Sequence, residues 1–389
     1  MKNPKTSTNP IYLDFHATSP MDPRVLESMM PYLTNIYGNP SSIDHSYGYD
    51  AANIVQTSRE NIASAIHAHM DEIIFTSGAT ESDNLALKGV MAKNIDRGNH
   101  LITCVTEHKA ILDTAKYLES HGTRVTYLPV DEFGSVDPRA VSDAITDDTV
   151  MISVMFANNE IGTIAEIGEI GKIAHERDVL FHTDAAQAMG HLNIDVEKLN
   201  IDLMSFSSHK LCGPKGIGAL YVRSIMPRVK SEPLIHGGGQ ERNIRSGTLN
   251  VPGIVGFAKA VKIAQMEMDS ENMLFKKWID IMFDSLSQVG AKLNGHPTKR
   301  LVHNLNVRFD GIEGKAIINS VSKKIAISAG SACTTQMVEP SHVLLAIGLT
   351  EEQAHTAIRI GCGRFNTNED IRIAIDEIHS SIKHLTQIC

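Results

Sequence analysis

Asp202-Leu203-Met204-Ser205-Phe206-Ser207-Ser208-His209-Lys210-Leu211-Cys212-Gly213-Pro214-Lys215-Gly216 is an apolar run that stops abruptly in polar chemistry. Leu203 to Phe206 has the pattern of a buried strand, and a second strand-like run, Ile217 to Val222, follows the Gly-Pro turn. Lys210 at the mouth of such a strand has two readings. It is a surface lysine opening a loop, the commoner case for a lone lysine. Or it is a lysine that condenses with an aldehyde, with Ser207 and His209 placed to hold an anion. The stretch alone leaves both open, and the choice depends on the rest of the chain.

Upstream, strand and helix signals alternate. Val179 to Thr183, Val150 to Ala157, Val125 to Val130 and His100 to Val105 read as strands, with helical segments near 111–118, 139–145 and 167–175 between them. Apolar strands separated by helices predict an α/β fold with a mostly parallel sheet covered on both faces. In such sheets the ligand crevice lies at the carboxyl ends of the strands. The residues there are Thr106-Glu107-His108, Asn158-Asn159-Glu160, Asp184-Ala185-Ala186-Gln187 and the Ser-Ser-His-Lys run. They are polar groups suited to holding a polar ring with a phosphate. A further strand, Glu72 to Ser77, runs into Gly78-Ala79-Thr80-Glu81-Ser82-Asp83-Asn84, where Thr80 and Asp83 predict a capping box opening a helix. A strand, a glycine turn and a helix N-terminus form an anion site, although ordinary βα turns share the pattern.

The flanks are less informative. Ile11 to Pro20 reads as a short strand closing into a loop, and Tyr37-Gly38-Asn39-Pro40-Ser41-Ser42 as a second loop. After the glycine- and arginine-rich stretch Gly237 to Thr248, Ile254, Phe257, Ala258, Val261 and Ala264 follow helical spacing. A domain boundary is expected near residue 265, giving a large unit over 16–265 and a smaller one from 1–15 with 266–389. The latter mixes strands (Val302 to Phe309, Ile325 to Ser328) with helices and ends in a helix striped by Ile371, Ala374, Ile378 and Ile382.

With 389 residues and 42% hydrophobic content the chain can bury one large core and a smaller second one. A net charge of -9 argues against a polyanion-binding surface, so no direct nucleic-acid partner is expected. Cys104, Cys212, Cys333, Cys362 and Cys389 lack CxxC spacing, which predicts neither a disulfide framework nor a metal site and suits a reducing cytosol. Met1 to Pro10 has no apolar core of a secretory signal, and no run approaches the roughly 20 apolar residues that span a membrane. A cytoplasmic protein is expected.

Taken together, Thr80, His108, Asn159, Asp184, Gln187 and Lys210, each after a strand and in this order, resemble the site of a fold-type-I pyridoxal-phosphate enzyme. Thr-Glu-His-Lys (106–109), Asn-Asn-Glu-Ile-Gly-Thr (158–163), Ser331-Ala332-Cys333 and Arg359-Ile360-Gly361-Cys362-Gly363-Arg364 narrow the resemblance to cysteine desulfurases of the NifS/IscS type, within the class-V aminotransferases. It spans Tyr12 to the last helix. It implies a large domain with a mostly parallel seven-stranded sheet, a smaller α/β domain, and pyridoxal 5'-phosphate as cofactor. It also implies conversion of L-cysteine to alanine.

The resemblance assigns roles residue by residue. Lys210 carries the cofactor and later moves the substrate's α-proton. Asp184 pairs with the pyridinium nitrogen, Gln187 with the ring's phenolic oxygen, and Asn159 lies near the same edge. His108 stacks on the ring and takes part in proton transfer. Ala79, Thr80, Ser207 and His209 hold the phosphate, joined by Thr248 from the other subunit of a homodimer. Cys333 takes the sulfur as a persulfide for a sulfur-acceptor protein: an iron–sulfur scaffold, a tRNA-thiolation carrier or a DNA-sulfur-modification protein. Arg359 clamps the substrate carboxylate, with Asn39 assisting. Two departures stand out: Phe15-His16-Ala17-Thr18-Ser19-Pro20, where Ala-Thr-Thr-Pro is usual, and Thr335-Gln336-Met337-Val338 after Cys333. The second leaves the acceptor open. The alternatives are a selenocysteine lyase, another fold-type-I aminotransferase or lyase, and a catalytically silent scaffold.

Overall fold

A computed structural model of the protein describes residues 9–225, 228–329 and 339–388. Cys333, Cys389 and the polar start at residues 1–8 lie outside the described residues. Seven strands form the central sheet in the spatial order Ile73–Thr76, Gly218–Val222, Leu203–Ser207, Leu180–Asp184, Thr149–Ser153, His100–Cys104 and Arg124–Leu128. Gly218–Val222 runs antiparallel to both of its neighbours, and the other pairings are parallel. The expected α/β fold with a mostly parallel seven-stranded sheet is what the chain adopts. Several strands are shorter than their apolar runs: Val154 to Ala157 continue the run of Thr149–Ser153 but turn away as a buried loop.

Both faces of the sheet are covered, so these strands bury both sides and read as nearly unbroken apolar runs. One face packs Phe75, Ile102, Ile152, Phe181, Met204 and Phe206 against the Ser46–Ser64 and Val251–Ser287 helices and their neighbours. The other packs Ile74, Leu101, Met151, Leu180 and Leu203 against the Ala79–Lys93 and Lys109–Ser120 helices. Polar groups inside this sheet are paired across strands. His182 sits between the hydroxyls of Ser153 at 2.9 Å and Ser205 at 3.0 Å.

A second core surrounds the antiparallel strands Asn304–Arg308 and Ala357–Gly361 and the terminal Asn368–Ile388 helix. The Val251–Ser287 helix joins the two cores without a break: Val251 to Ala264 belong to the first, Phe275 to Leu286 to the second. Ile11–Tyr12 pairs in parallel with Ile325–Ala326, which ties the start of the chain to the C-terminal part. Among the described residues no helix is long and apolar enough to cross a membrane.

The predicted capping box is corrected. The helix begins at Ala79 with Gly78 as its N-cap, so Thr80 is already inside the first turn, and Asp83 is fully buried rather than capping. Glu81 reaches back instead, accepting from the Ser77 amide at 2.7 Å. Glycine is required nearby: a side-chain carbon on Gly218 would lie 2.7 Å from Gly78 Cα and from the Phe206 carbonyl oxygen. The glycine turn therefore rests directly on the antiparallel strand.

The edge strand Ile73–Thr76 is held by a buried ion pair. Arg59 donates to both carboxylate oxygens of Glu241, at 2.7 and 2.6 Å, and lies over the Phe75 ring, while Glu241 also accepts from the Phe75 amide at 2.8 Å. Removing one member strands the other charge in the core. Glu241→Ala should lower stability by about 3–5 kcal/mol in guanidinium unfolding. A loss below about 0.5 kcal/mol, the usual effect of a surface change, would show the pair to be dispensable.

Candidate active site

A cavity of about 620 Å³ opens at the carboxyl ends of the sheet strands. Ala79, Thr80, His108, Asn159, Asp184, Gln187, Ser207, His209, Lys210 and Arg359 all line it. The structure does not bring in Asn39, which is exposed and whose Oδ1 accepts from the Ser41 amide at 3.0 Å. Thr248 is likewise exposed and outside this cavity, although its loop is tied to the glycine turn by Arg245, whose Nε donates to Glu81 at 2.8 Å.

The floor is acidic and buried. Asp184 is 5% exposed, and its carboxylate accepts one hydrogen bond among the described residues, from the Ala186 amide at 2.8 Å. Burial raises its pKa, while His108 and Lys210 oppose the rise. A buried carboxylate so thinly satisfied suits a cationic partner. Around it, burial also raises Asp83 and Glu107, the latter to about 8, and the charge of Asp184 adds to both. Glu107 is therefore largely protonated at neutral pH, whereas Asp184 has Lys210 nearby to favour its charged form.

Lys210 ends a short turn, Ser208–Lys210, that follows the Leu203–Ser207 strand. Its Nζ donates to the carbonyl oxygens of His16 and, at 2.9 Å, Ala17. His108 caps the Lys109–Ser120 helix, its Nδ1 accepting from the Ala110 amide at 3.1 Å. Burial lowers its pKa, so the neutral ring carries its proton on Nε2. His108 is thus a helix cap and a cavity residue at once. His209 Nδ1 pairs with the Thr18 hydroxyl at 3.0 Å, and burial together with Lys210 brings its pKa down to about 4.

The opposite wall is cationic. Arg359 is 1% exposed; its Nη2 donates to Asp14 at 2.9 Å and its Nη1 to the Asn159 carbonyl at 3.0 Å. Its Nε has no hydrogen-bond partner among the described residues, leaving one buried donor beside the cavity. Glu160, read from sequence as one of the strand-end polar groups, lines the cavity, whereas Asp14, His16 and His342 were missed. Asp14 and His16 stand in a quoted motif, but nothing in their spacing shows that the first strand leads into the crevice.

A pyridoxal phosphate group fits this donor set. Gly78 has no side chain with which to cap the first helical turn, so the Ala79 and Thr80 amides meet the cavity beside Ser207, a phosphate-type anion site. Lys210 and Asp184 supply the amine and the carboxylate that an aldehyde-bearing pyridine ring requires.

The aminotransferase class-V family profile matches residues 11–373. A protein named Cysteine desulfurase IscS from Rickettsia bellii is 51% identical over 383 residues, covering 97% of this chain and 92% of that protein. Among solved structures, a NifS-like protein superposes with a TM-score of 0.90 at 38% identity, over 97% of this chain and 100% of the other. A structure described as SspA in complex with cysteine gives 0.80 at 39% identity, over 92% and 100%. The chain belongs to the class-V aminotransferase family and, within it, to the NifS/IscS-type cysteine desulfurases.

Proposed function

We propose that the protein converts L-cysteine to L-alanine and holds the released sulfur as a persulfide on Cys333. The observation that carries this reading is one cavity combining Lys210, a buried Asp184, an amide-lined helix start and Arg359. When bound, pyridoxal phosphate supplies an electron sink for charge developing at the substrate α-carbon. Ala79, Thr80, Ser207 and His209 bind its phosphate, and Asp184 keeps a proton on the ring nitrogen. Gln187 and Asn159 serve the oxygen-bearing edge. Lys210 would hold the aldehyde carbon, and its amine would move the substrate α-proton. His108, neutral with its proton on Nε2, covers the ring and holds a proton for transfer.

Arg359 binds the substrate carboxylate through the donors that Asp14 and Asn159 leave over. The Cys333 thiolate attacks the substrate sulfur. The carbon–sulfur bond breaks with its electron pair passing to the β-carbon side, a sulfur–sulfur bond forms on Cys333, and the three-carbon remainder takes up a proton at that carbon and leaves as alanine. Two facts support Cys333 in this role. Cys104, Cys212 and Cys362 are buried, and burial pushes their thiols up, Cys212 to about 11, so they are poor nucleophiles. Ser328 and His342, on either side of the segment that carries Cys333, both meet the site: Ser328 pairs by backbone with Arg359, and His342 lines the cavity.

The persulfide passes to an acceptor protein, and the IscS-named relatives favour an iron–sulfur scaffold. The division of the cores supports a large cofactor-binding unit over 16–265 and a small unit of 1–15 with 266–389. A cytoplasmic homodimer fits the exposed Thr248 loop, which reaches the phosphate in the other subunit's cavity.

Lys210→Ala should lose the cofactor's visible absorbance and alanine release together; turnover at the parent rate would refute the assignment. Cys333→Ser should keep the cofactor band and its response to cysteine while yielding no persulfide, and persulfide at the parent level would exclude Cys333. Hybrid dimers of Lys210→Ala and Thr248→Ala chains should exceed the mean activity of the two homodimers, because one site escapes both lesions. Activity equal to that mean would place Thr248 in its own subunit's function or none.

A further inference from the structure

His16 has no role in the reading above, yet it holds two of the groups that reading uses. The residue is 1% exposed. Its carbonyl oxygen accepts from Lys210 Nζ and, at 3.0 Å, from Gln187 Nε2. Its ring Nδ1 lies 2.9 Å from Gln187 Oε1. An amide oxygen only accepts, so the proton of the neutral ring sits on Nδ1. The Gln187 amide is thereby fixed in one orientation. Reversed, it would set an oxygen against the His16 carbonyl and lose that bond, and it would keep the other only if the ring moved its proton to Nε2.

The ring itself is held firmly. It stacks on His303 with centroids 4.5 Å apart and planes 25° apart, and His303 stacks on His191 at 3.9 Å and 23°. Gly361 makes room for it: a side-chain carbon there would lie 2.6 Å from His16 Cδ2. Burial, assisted by Arg359, brings the His16 pKa down to about 3, and burial also lowers His191 and His303. The three rings are therefore neutral together, and the stack carries no charge repulsion.

We propose that His16 is a positioning residue for the cofactor. Its Nδ1–H and its carbonyl together lock the Gln187 amide and leave the second N–H of Nε2 for the cofactor, on the same anchor that holds Lys210. This inference rests on the reading of the cavity as a pyridoxal-phosphate site. Phenylalanine at this position would keep an aromatic ring for the stack but lose the donor. Asparagine would lose the stack but keep an N–H close to where Nδ1 stands.

The test compares purified parent, His16→Phe and His16→Asn proteins, each stripped of cofactor and titrated with pyridoxal phosphate, with the visible band and the dissociation constant recorded. His16→Phe should bind about five- to tenfold more weakly, the effect of one lost hydrogen bond, and show a displaced visible maximum. His16→Asn should restore both towards the parent. Thermal melts establish that each variant is folded; if His16→Phe is not, His16→Ala against His16→Asn makes the same comparison. A His16→Phe or His16→Ala protein with parent affinity and parent band overturns the proposal, as does equal impairment in His16→Asn. A parent that binds no pyridoxal phosphate overturns the functional reading and this inference with it. A parent that binds normally beside an unaltered His16→Phe overturns this inference alone.

Discussion

Arg359 places a permanent charge where almost no water reaches, and an unpaired guanidinium there would cost far more than a fold can spare. Asp14 and the Asn159 carbonyl make the burial tolerable. Arg359 and its two partners come from three separate parts of the chain: the Ala357–Gly361 strand, the exit of Ile11–Tyr12, and the loop beyond Thr149–Ser153. The charge is satisfied only when all three are in place, so one ion pair aligns the C-terminal sheet with the crevice of the large sheet. Ser328 joins the same knot, its hydroxyl donating to Asp14 at 3.1 Å.

The first segment also supplies the anchors for chemistry. Within a few residues, Asp14 holds Arg359, the His16 and Ala17 carbonyls hold Lys210, and Thr18 holds His209. The acidic floor acts from the other side. Burial and the charge of Asp184 push Asp83 and Glu107 up, whereas Asp184 itself has the Lys210 charge and the Ala186 amide to oppose its own rise. Buried acids that titrate far from their ordinary range belong where a protein tunes a reacting group.

The large sheet was legible because parallel strands buried on both faces must be apolar throughout and must end in polar residues. That pattern placed His108, Asn159, Asp184, Gln187 and Lys210 at one edge. The helical start at Ala79 misled, because Thr80 and Asp83 have the residue types of a cap, whereas Asp83 is buried and Glu81 makes the bond. The continuous Val251–Ser287 helix was legible only in its first part: beyond residue 265 its buried face turns from the large core to the small one, so a single stripe does not run its length. The partners of Arg359 and Lys210 were not legible, since contacts between residue 14 and residue 359, or 16 and 210, depend on the closed fold and leave no periodicity in sequence.

The central claim is that sulfur leaves cysteine and comes to rest on Cys333. Mass mapping of the protein after a single turnover with isotopically labelled cysteine tests it most directly. The account predicts one labelled sulfur on the peptide containing Cys333 and none on those containing the shielded Cys104, Cys212 and Cys362. Label on any of these three, with Cys333 unmodified, would contradict it.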